Sequence, residues 1–216
     1  MSRTPFHARV VLFDWDGTIL DSYAADQRAY LSMFRALGIA WGAAEIDRNY
    51  SPDWYRVYRA ARIPKLCWER ADRLWRTAYR AERPGLLAGA RTTLRILARR
   101  FELGIVTAGS RGRVRRQLRD FGLRDHFSAC IFSEDTARKK PHPAPLELAL
   151  SRMRAKPQEC VYVGDAPADI EMARRAGVAA IGVLGPFPVA AQIRSARPDL
   201  LLGSIRELPR YLRTAD

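Results

Sequence analysis

Val10-Val11-Leu12-Phe13-Asp14-Trp15-Asp16-Gly17-Thr18 is the stretch on which the reading of this chain turns. Four apolar residues in a row suit a strand covered on both faces, and such strands belong to parallel sheets flanked by helices. Continued extension would put Asp14 and Asp16 on the same side, because successive side chains alternate. Gly17 lets the chain break off sharply there. Like charges this close repel, and a divalent cation such as Mg²⁺, which takes oxygen ligands, would compensate them. The plain alternative is an Asp-Gly turn between a strand and a helix.

Three later segments weigh against the plain turn. Leu103-Gly104-Ile105-Val106-Thr107 is a strand-like run ending in a hydroxyl, followed by Ala108-Gly109-Ser110. Lys140-Pro141 comes after a polar loop and before an apolar-periodic helix. Val161-Tyr162-Val163-Gly164-Asp165 is a third buried run ending in a carboxylate, with Asp169 four residues on. Each polar group falls at or just past the C-terminal end of an expected strand, the edge where open α/β sheets bind their ligands.

With 216 residues the chain suits one α/β domain carrying an insertion. Strands are expected near residues 9–13, 102–106, 128–132, 160–163 and 178–183, with an edge strand at 200–202. Helices are expected over 87–100, 110–121, 143–153 and 167–176. Residues 22–83 read as helical throughout and interrupt the βαβ rhythm between the first and second strands. This block holds Trp41, Trp54, Trp68 and Trp75 and six of the eight tyrosines, large side chains that a small unit needs for its own core. Asn49-Tyr50-Ser51-Pro52-Asp53 reads as a turn between two of its helices, with Ser51 or Asp53 as N-cap.

No run approaches the roughly 18 uninterrupted apolar residues of a membrane span, and Val10–Phe13 is too short for a signal-peptide core. Cys67, Cys130 and Cys160 are odd in number and lack metal-ligand spacing, which suits reduced thiols in a cytoplasmic protein. His7, His126 and His142 form no cluster, and no nucleotide-binding glycine loop occurs. The net charge of +14 would suit a nucleic-acid binder, yet its arginines are spread over most helices. Arg91, Arg95, Arg99 and Arg100 fall at helical spacing on a solvated face, as do Arg111, Arg115 and Arg119. General surface charge is the plain reading and steering of anionic substrates the sharper one, with no specific nucleic acid and no membrane expected as partner.

Asp-x-Asp-Gly-Thr, a strand-end Thr, Lys-Pro and Gly-Asp-x-x-x-Asp, in that order, resemble the four motifs of the haloacid dehalogenase-like hydrolases. The resemblance runs from about Val10 to Leu208 and looks closest to the phosphoglycolate phosphatase-like branch, through 140–146 and 164–170. It implies a Rossmann-like, three-layer α/β/α core over 1–20 and 85–216, with a small helical cap inserted at 21–84. It implies a Mg²⁺-dependent phosphatase of small phosphorylated metabolites, working through an aspartyl-phosphate as a monomer or homodimer. Asp14 would be the nucleophile, and Asp16 the general acid/base, a residue absent from relatives that cleave carbon–halogen bonds. Thr107, Ala108 and Gly109 would cradle the phosphoryl group, helped by the start of the next helix. Lys140, and not its neighbour Lys139, would neutralise it. Metal would be held by Asp14, Asp16 through its backbone carbonyl, and Asp165. Asp169 is open between metal ligand, orienting group and helix-terminal charge, with the orienting role favoured. Tyr50 and Ser51 lie where related caps touch substrate. The alternatives are a phosphomutase or a phosphonate cleaver, the latter needing a cap lysine for which only Lys65 is available, and a non-catalytic basic protein associated with nucleic acid.

Overall fold

The alternation of short apolar runs with helical stretches resolves into a sheet of six parallel strands. The computed structural model describes residues 6–51 and 53–214. Pro52 of the expected turn, and residues 1–5 and 215–216 of the expected core, lie outside the described residues. In chain order the elements are β1 (Phe6–Ala8), β2 (Val10–Phe13), α1 (Tyr23–Ala36), α2 (Ala43–Asn49), α3 (Trp54–Ala60), α4 (Trp68–Tyr79) and α5 (Ala90–Leu97). They continue with β3 (Glu102–Val106), α6 (Arg111–Asp120), β4 (Ala129–Ile131), α7 (Ala144–Met153), β5 (Cys160–Gly164) and α8 (Pro167–Arg175). Last come β6 (Ala179–Val183), α9 (Ala190–Ser195), β7 (Leu200–Leu202) and β8 (Leu212–Thr214).

Strand order is β4-β3-β2-β5-β6-β7, so the chain winds outward from β2 in one direction and then from β5 in the other. The strand order reverses between β2 and β5, where the connections leave to opposite sides and open a crevice. Register fixes what lines it. Phe13 pairs with Ile105 on one side and with Val163 on the other. Asp14, Thr107 and Asp165 therefore follow their strands at the same edge.

The continuous apolar runs are explained by cover on both faces. Val11, Phe13, Ile105, Val163 and Ile181 pack on α5 and α6 through Leu94, Leu97, Val114 and Leu118. Val10, Leu12, Val106 and Tyr162 point the other way, onto Leu146, Ala149, Ile170 and Met172 of α7 and α8. This is a three-layer α/β/α sandwich. Helices α1–α4 enclose a third cluster built on Tyr30, Met33, Phe34, Ile46, Val57 and Tyr58. Tyr30 and Phe34 stack at 5.9 Å, and Tyr55 stacks on Trp68 at 4.6 Å. Trp54 remains 37 % exposed. Among the described residues no helix is long and apolar enough to cross a membrane.

Two features differ from the sequence expectation. The first strand is broken at Arg9, and β1 pairs in parallel with β8 in a separate two-stranded sheet. Helix α9 fills a stretch to which the sequence assigned no element, anchored by Ile193 in the core.

Leu12 is wholly buried in the central strand, so Leu12→Ala should lower unfolding free energy by about 3 kcal/mol, through lost transfer energy plus a cavity. Urea denaturation measures this, and a loss below about 1 kcal/mol would contradict close packing of Leu12 between the sheet and α7–α8.

Candidate active site

The two carboxylates of the opening motif part company as soon as the strand ends. Asp14 still belongs to the ladder, its N–H donating to Val163 O at 2.9 Å. Gly17 then adopts φ +76°, and a Cβ there would sit 2.1 Å from Asp165 Oδ2, so glycine is required both by conformation and by space. Thr18 donates its hydroxyl to Asp165 Oδ1 at 3.0 Å. The motif thereby turns the chain and steadies the carboxylate arriving from β5.

Lys140 lies among the acids. Its Nζ is 2.9 Å from Asp14 Oδ1 and 2.8 Å from Asp169 Oδ1, and it donates to the Tyr162 hydroxyl at 2.7 Å. Tyr162 in turn donates to Val106 O at 2.9 Å. Asp169 Oδ2 accepts from Ala166 N at 3.0 Å in the first turn of α8. Both oxygens of Asp169 are thus engaged in orienting Lys140 and capping a helix.

Burial, with the neighbouring charges of Asp169 and Asp16, outweighs Lys140 and pushes the Asp14 carboxyl up to about 7. Burial, then Asp14 and Asp169, holds Asp165 well above the usual carboxylate range. Burial alone would lower the Lys140 ammonium, yet Asp14 and Asp169 together raise it. Asp14, Asp165 and Asp169 each bring an oxygen within 4.8 Å of the others, with one ammonium among them. Asp14 Oδ1 pairs with Lys140 by distance but without an aligned hydrogen bond, and so remains an orphaned buried acceptor. Hard oxygen donors with a deficit of positive charge fit Mg²⁺. Of the expected metal residues, Asp14, Asp165 and Asp169 come together, whereas the Asp16 carboxylate turns away to Arg113.

That pairing is bidentate, with Arg113 Nη1 to Asp16 Oδ1 at 2.8 Å and Nη2 to Oδ2 at 2.5 Å. The guanidinium lies 5.2 Å over the Tyr79 ring. A Cβ on Gly109 would come within 2.5 Å of Arg113 Nη2, so Gly109 clears the guanidinium's path. Beside it Asp26 of α1 receives the Trp75 indole N–H at 3.1 Å. Burial, and the charge of Asp16, push Asp26 up to about 7.

Thr107 Oγ accepts from Gly109 N at 3.0 Å, leaving its own hydrogen to donate. Ala108 N–H has no hydrogen-bond partner among the described residues. The start of α6, expected to face a phosphate, is met instead by Glu134, whose carboxylate accepts from Arg111 N at 3.0 and 3.1 Å.

A cleft of about 1010 Å³ runs between α1–α4 and the strand edge, and Asp16, Tyr50, Ser51, Ala108, Gly109 and Phe187 are among its walls. Tyr50 meets Phe187 at 5.0 Å across it. Asp53, not Ser51, caps α3, accepting from Tyr55 N at 3.1 Å. Lys65 is exposed on a short 3₁₀ turn and does not line this cleft. A smaller hollow of about 450 Å³ lies against α6 and β4, among Arg115, Arg119 and Phe132, away from the paired carboxylates.

Sequence reasoning gave no role to Thr18, Tyr162, Asp26 or Arg113. The signal for Arg113 was present, since a solvated stripe at 111, 115 and 119 leaves 113 and 117 facing inward on the same helix.

The haloacid dehalogenase-like hydrolase family model matches residues 11–183. A phosphoglycolate phosphatase of Chromobacterium violaceum is 32% identical over 214 residues, covering 94% of this chain and 95% of its own. The pyrophosphatase PpaX of Oceanobacillus iheyensis is 27% identical over 208 residues, covering 93% and 94%. A haloacid dehalogenase-like hydrolase structure from Streptococcus pneumoniae shares the fold with a TM-score of 0.84 at 21% identity, over 94% of this chain and 98% of that one. With Asp14, Lys140 and Asp165 gathered at one sheet edge, the chain belongs to the haloacid dehalogenase-like hydrolases, in their phosphoglycolate phosphatase-like branch of phosphoric monoester hydrolases.

Proposed function

We propose that this phosphatase is Mg²⁺-dependent, acts on small phosphorylated metabolites of the phosphoglycolate type, and works through an aspartyl-phosphate on Asp14. The observation that carries the reading is the half-buried Asp14 carboxylate, with Lys140 Nζ 2.9 Å away and Asp165 and Asp169 close by, two residues before Asp16 in the wall of a large cleft. In it a phosphoryl group would meet a nucleophile, a fixed cation and free donors at once.

Asp14 attacks phosphorus as the bond to the leaving oxygen breaks. Asp16 supplies the proton that this oxygen takes up. Asp16 then accepts a proton from the water that attacks the phosphorylated Asp14, releasing inorganic phosphate and restoring the carboxylate. Lys140 balances the charge of the phosphoryl oxygens and of Asp14. The Thr107 hydroxyl and Ala108 N–H donate to those oxygens. Asp14, Asp165 and the Asp16 backbone carbonyl would hold Mg²⁺, while Asp169 keeps Lys140 in place. The ion would withdraw charge from the transferring group and quench repulsion among the carboxylates. Helices α1–α4, within residues 21–84, act as a cap over the cleft, with Tyr50 and Ser51 meeting the leaving group and excluding water.

Asp14→Asn should lower kcat on any accepted phosphomonoester by about 10⁴-fold or more, with circular dichroism unchanged. Steady-state assay of the variant checks this, and near-native turnover would remove the nucleophile assignment.

The raised carboxyls also set a pH signature. A folded value of about 7 for Asp14, against 3.8 for the free residue, means that the metal-free native state holds a proton the unfolded chain has released. Stability of the metal-free protein therefore falls as pH rises through that window. A cation must displace the proton, so stabilisation by Mg²⁺ grows with pH. Thermal melts with excess MgCl₂ or chelator should separate more at pH 8 than at pH 5. Equal separations, or none, would contradict the metal site.

A further inference from the structure

The Asp16–Arg113 clamp creates a difficulty for the proposed chemistry, and the same atoms supply its resolution. Asp16 has to turn toward a leaving oxygen in the cleft, yet both of its oxygens are taken by one guanidinium, at 2.8 and 2.5 Å. Arg113 is itself only 15 % exposed at its side chain. It is fixed from behind by Gln117 Oε1 at 3.4 Å, and that amide oxygen also accepts from the buried Trp15 indole at 2.9 Å. Tyr79 covers one face of the guanidinium. If Asp16 swings away, a largely buried cation loses its counter-ion, which is strongly unfavourable unless another anion takes that place.

The rest of the cleft is arranged for such an anion. Its acidic residues have partners. Asp26 accepts from Trp75, Asp72 from Tyr58, and Glu134 caps α6. Its cations include two without any. Arg80 at the end of α4 and Arg116, one turn beyond Arg113 on α6, line the cleft and have no carboxylate partner among the described residues. Unpaired positive charge thus lines the cleft wall at its exposed side, apart from Lys140.

We propose that Arg113 is a specificity-determining residue, which selects phosphate monoesters whose leaving group carries its own negative charge, a carboxylate or a second phosphate. The anion replaces Asp16 on the guanidinium, and Asp16, freed from its cation, takes up a proton from solvent and carries it to the leaving oxygen. Exchange of one oxyanion for another on a planar guanidinium keeps two parallel hydrogen bonds, so it proceeds with little net penalty. A neutral leaving group offers no exchange and leaves Asp16 clamped. Arg80 and Arg116 draw the same charge into the cleft. This inference rests on the phosphatase reading above, and it adds the residue that reads the charge of the leaving group.

The test compares 2-phosphoglycolate with 2-phosphoglycolamide, an isostere whose leaving group is neutral, as substrates of the full chain with Mg²⁺. The wild type should favour the charged ester in kcat/KM by about tenfold or more, since a site built to pair a charged group rejects an analogue lacking it. In Arg113→Met the preference should collapse to within about threefold, as turnover of the charged ester falls and that of the amide holds or rises with Asp16 unclamped. Arg113→Lys keeps the charge but not the bidentate geometry, and should lower the ratio several-fold; it decides the matter if the Met variant proves unfolded by its melting curve. A ratio unchanged in Arg113→Lys, or an equal fall for both substrates, would overturn the selector role while leaving the phosphatase reading intact. Hydrolysis of neither ester above the Asp14→Asn background, nor of any other phosphomonoester, would overturn the phosphatase reading and this inference with it.

Discussion

Asp14, Asp165 and Asp169 bring carboxylate oxygens within 4.8 Å of one another where two of the three side chains are almost sealed from solvent. Taking each charge out of water carries a penalty of several kcal/mol, and their mutual repulsion adds to it. A fold tolerates this only when something outside the trio is gained. Lys140 supplies one positive charge, Thr18 and Ala166 N donate hydrogen bonds, and the shortfall remains visible in the raised carboxyls of Asp14 and Asp165. That shortfall is what a cation or a bound phosphoryl group would use. A site fully balanced by its own side chains would have nothing left to offer a ligand.

The parallel sheet is what makes the concentration of charge possible. Hydrogen-bonded register between β2, β3 and β5 fixes three strand ends to within a residue, so Asp14, Thr107 and Asp165 arrive at one edge without depending on flexible loops. Apolar layers on both faces of the sheet hold that edge still. Gly17 and Gly164 leave room where a Cβ would strike Asp165 or Asp169, so the acids can lie against backbone. Tyr162 shows how closely packing and site are linked. Its ring belongs to the α7–α8 face of the core, while its hydroxyl reaches Lys140 and Val106 O.

Much of this was legible from the chain because the signals are local. A four-residue apolar run followed by Asp14 says where a strand ends, and the same grammar repeats at Thr107 and Asp165. Periodicity placed the long helices and the central strands within a few residues. The β1–β8 pair was not legible, since its three-residue strands carry His7 and Arg213 and meet across nearly the whole chain. Nor was the partner of Asp16. A sequence shows that Arg113 leaves the solvated stripe of α6, but not that Gly109 clears its path to a carboxylate on another strand. Glu134 at the head of α6 escaped for the same reason, because a cap supplied from a distant loop leaves no mark in the helix's own sequence.

The surface charge of +14 takes on a different meaning once its members are sorted by position. Arg115 and Arg119 line a separate hollow, Arg80 and Arg116 line the cleft, and Arg113 is paired within it. Exposed charges act over about a Debye length, near 8 Å in physiological salt, and therefore influence encounter more than chemistry. A paired and largely buried guanidinium is little affected by that screening and acts through geometry. Under the proposal for Arg113, one residue type would serve two purposes in this chain, long-range attraction of anions at the surface and selection among them at Arg113. The boundary between the two is drawn by burial, because the same charge that salt screens on α6's outer face is sheltered by Tyr79 and Gln117 on its inner one.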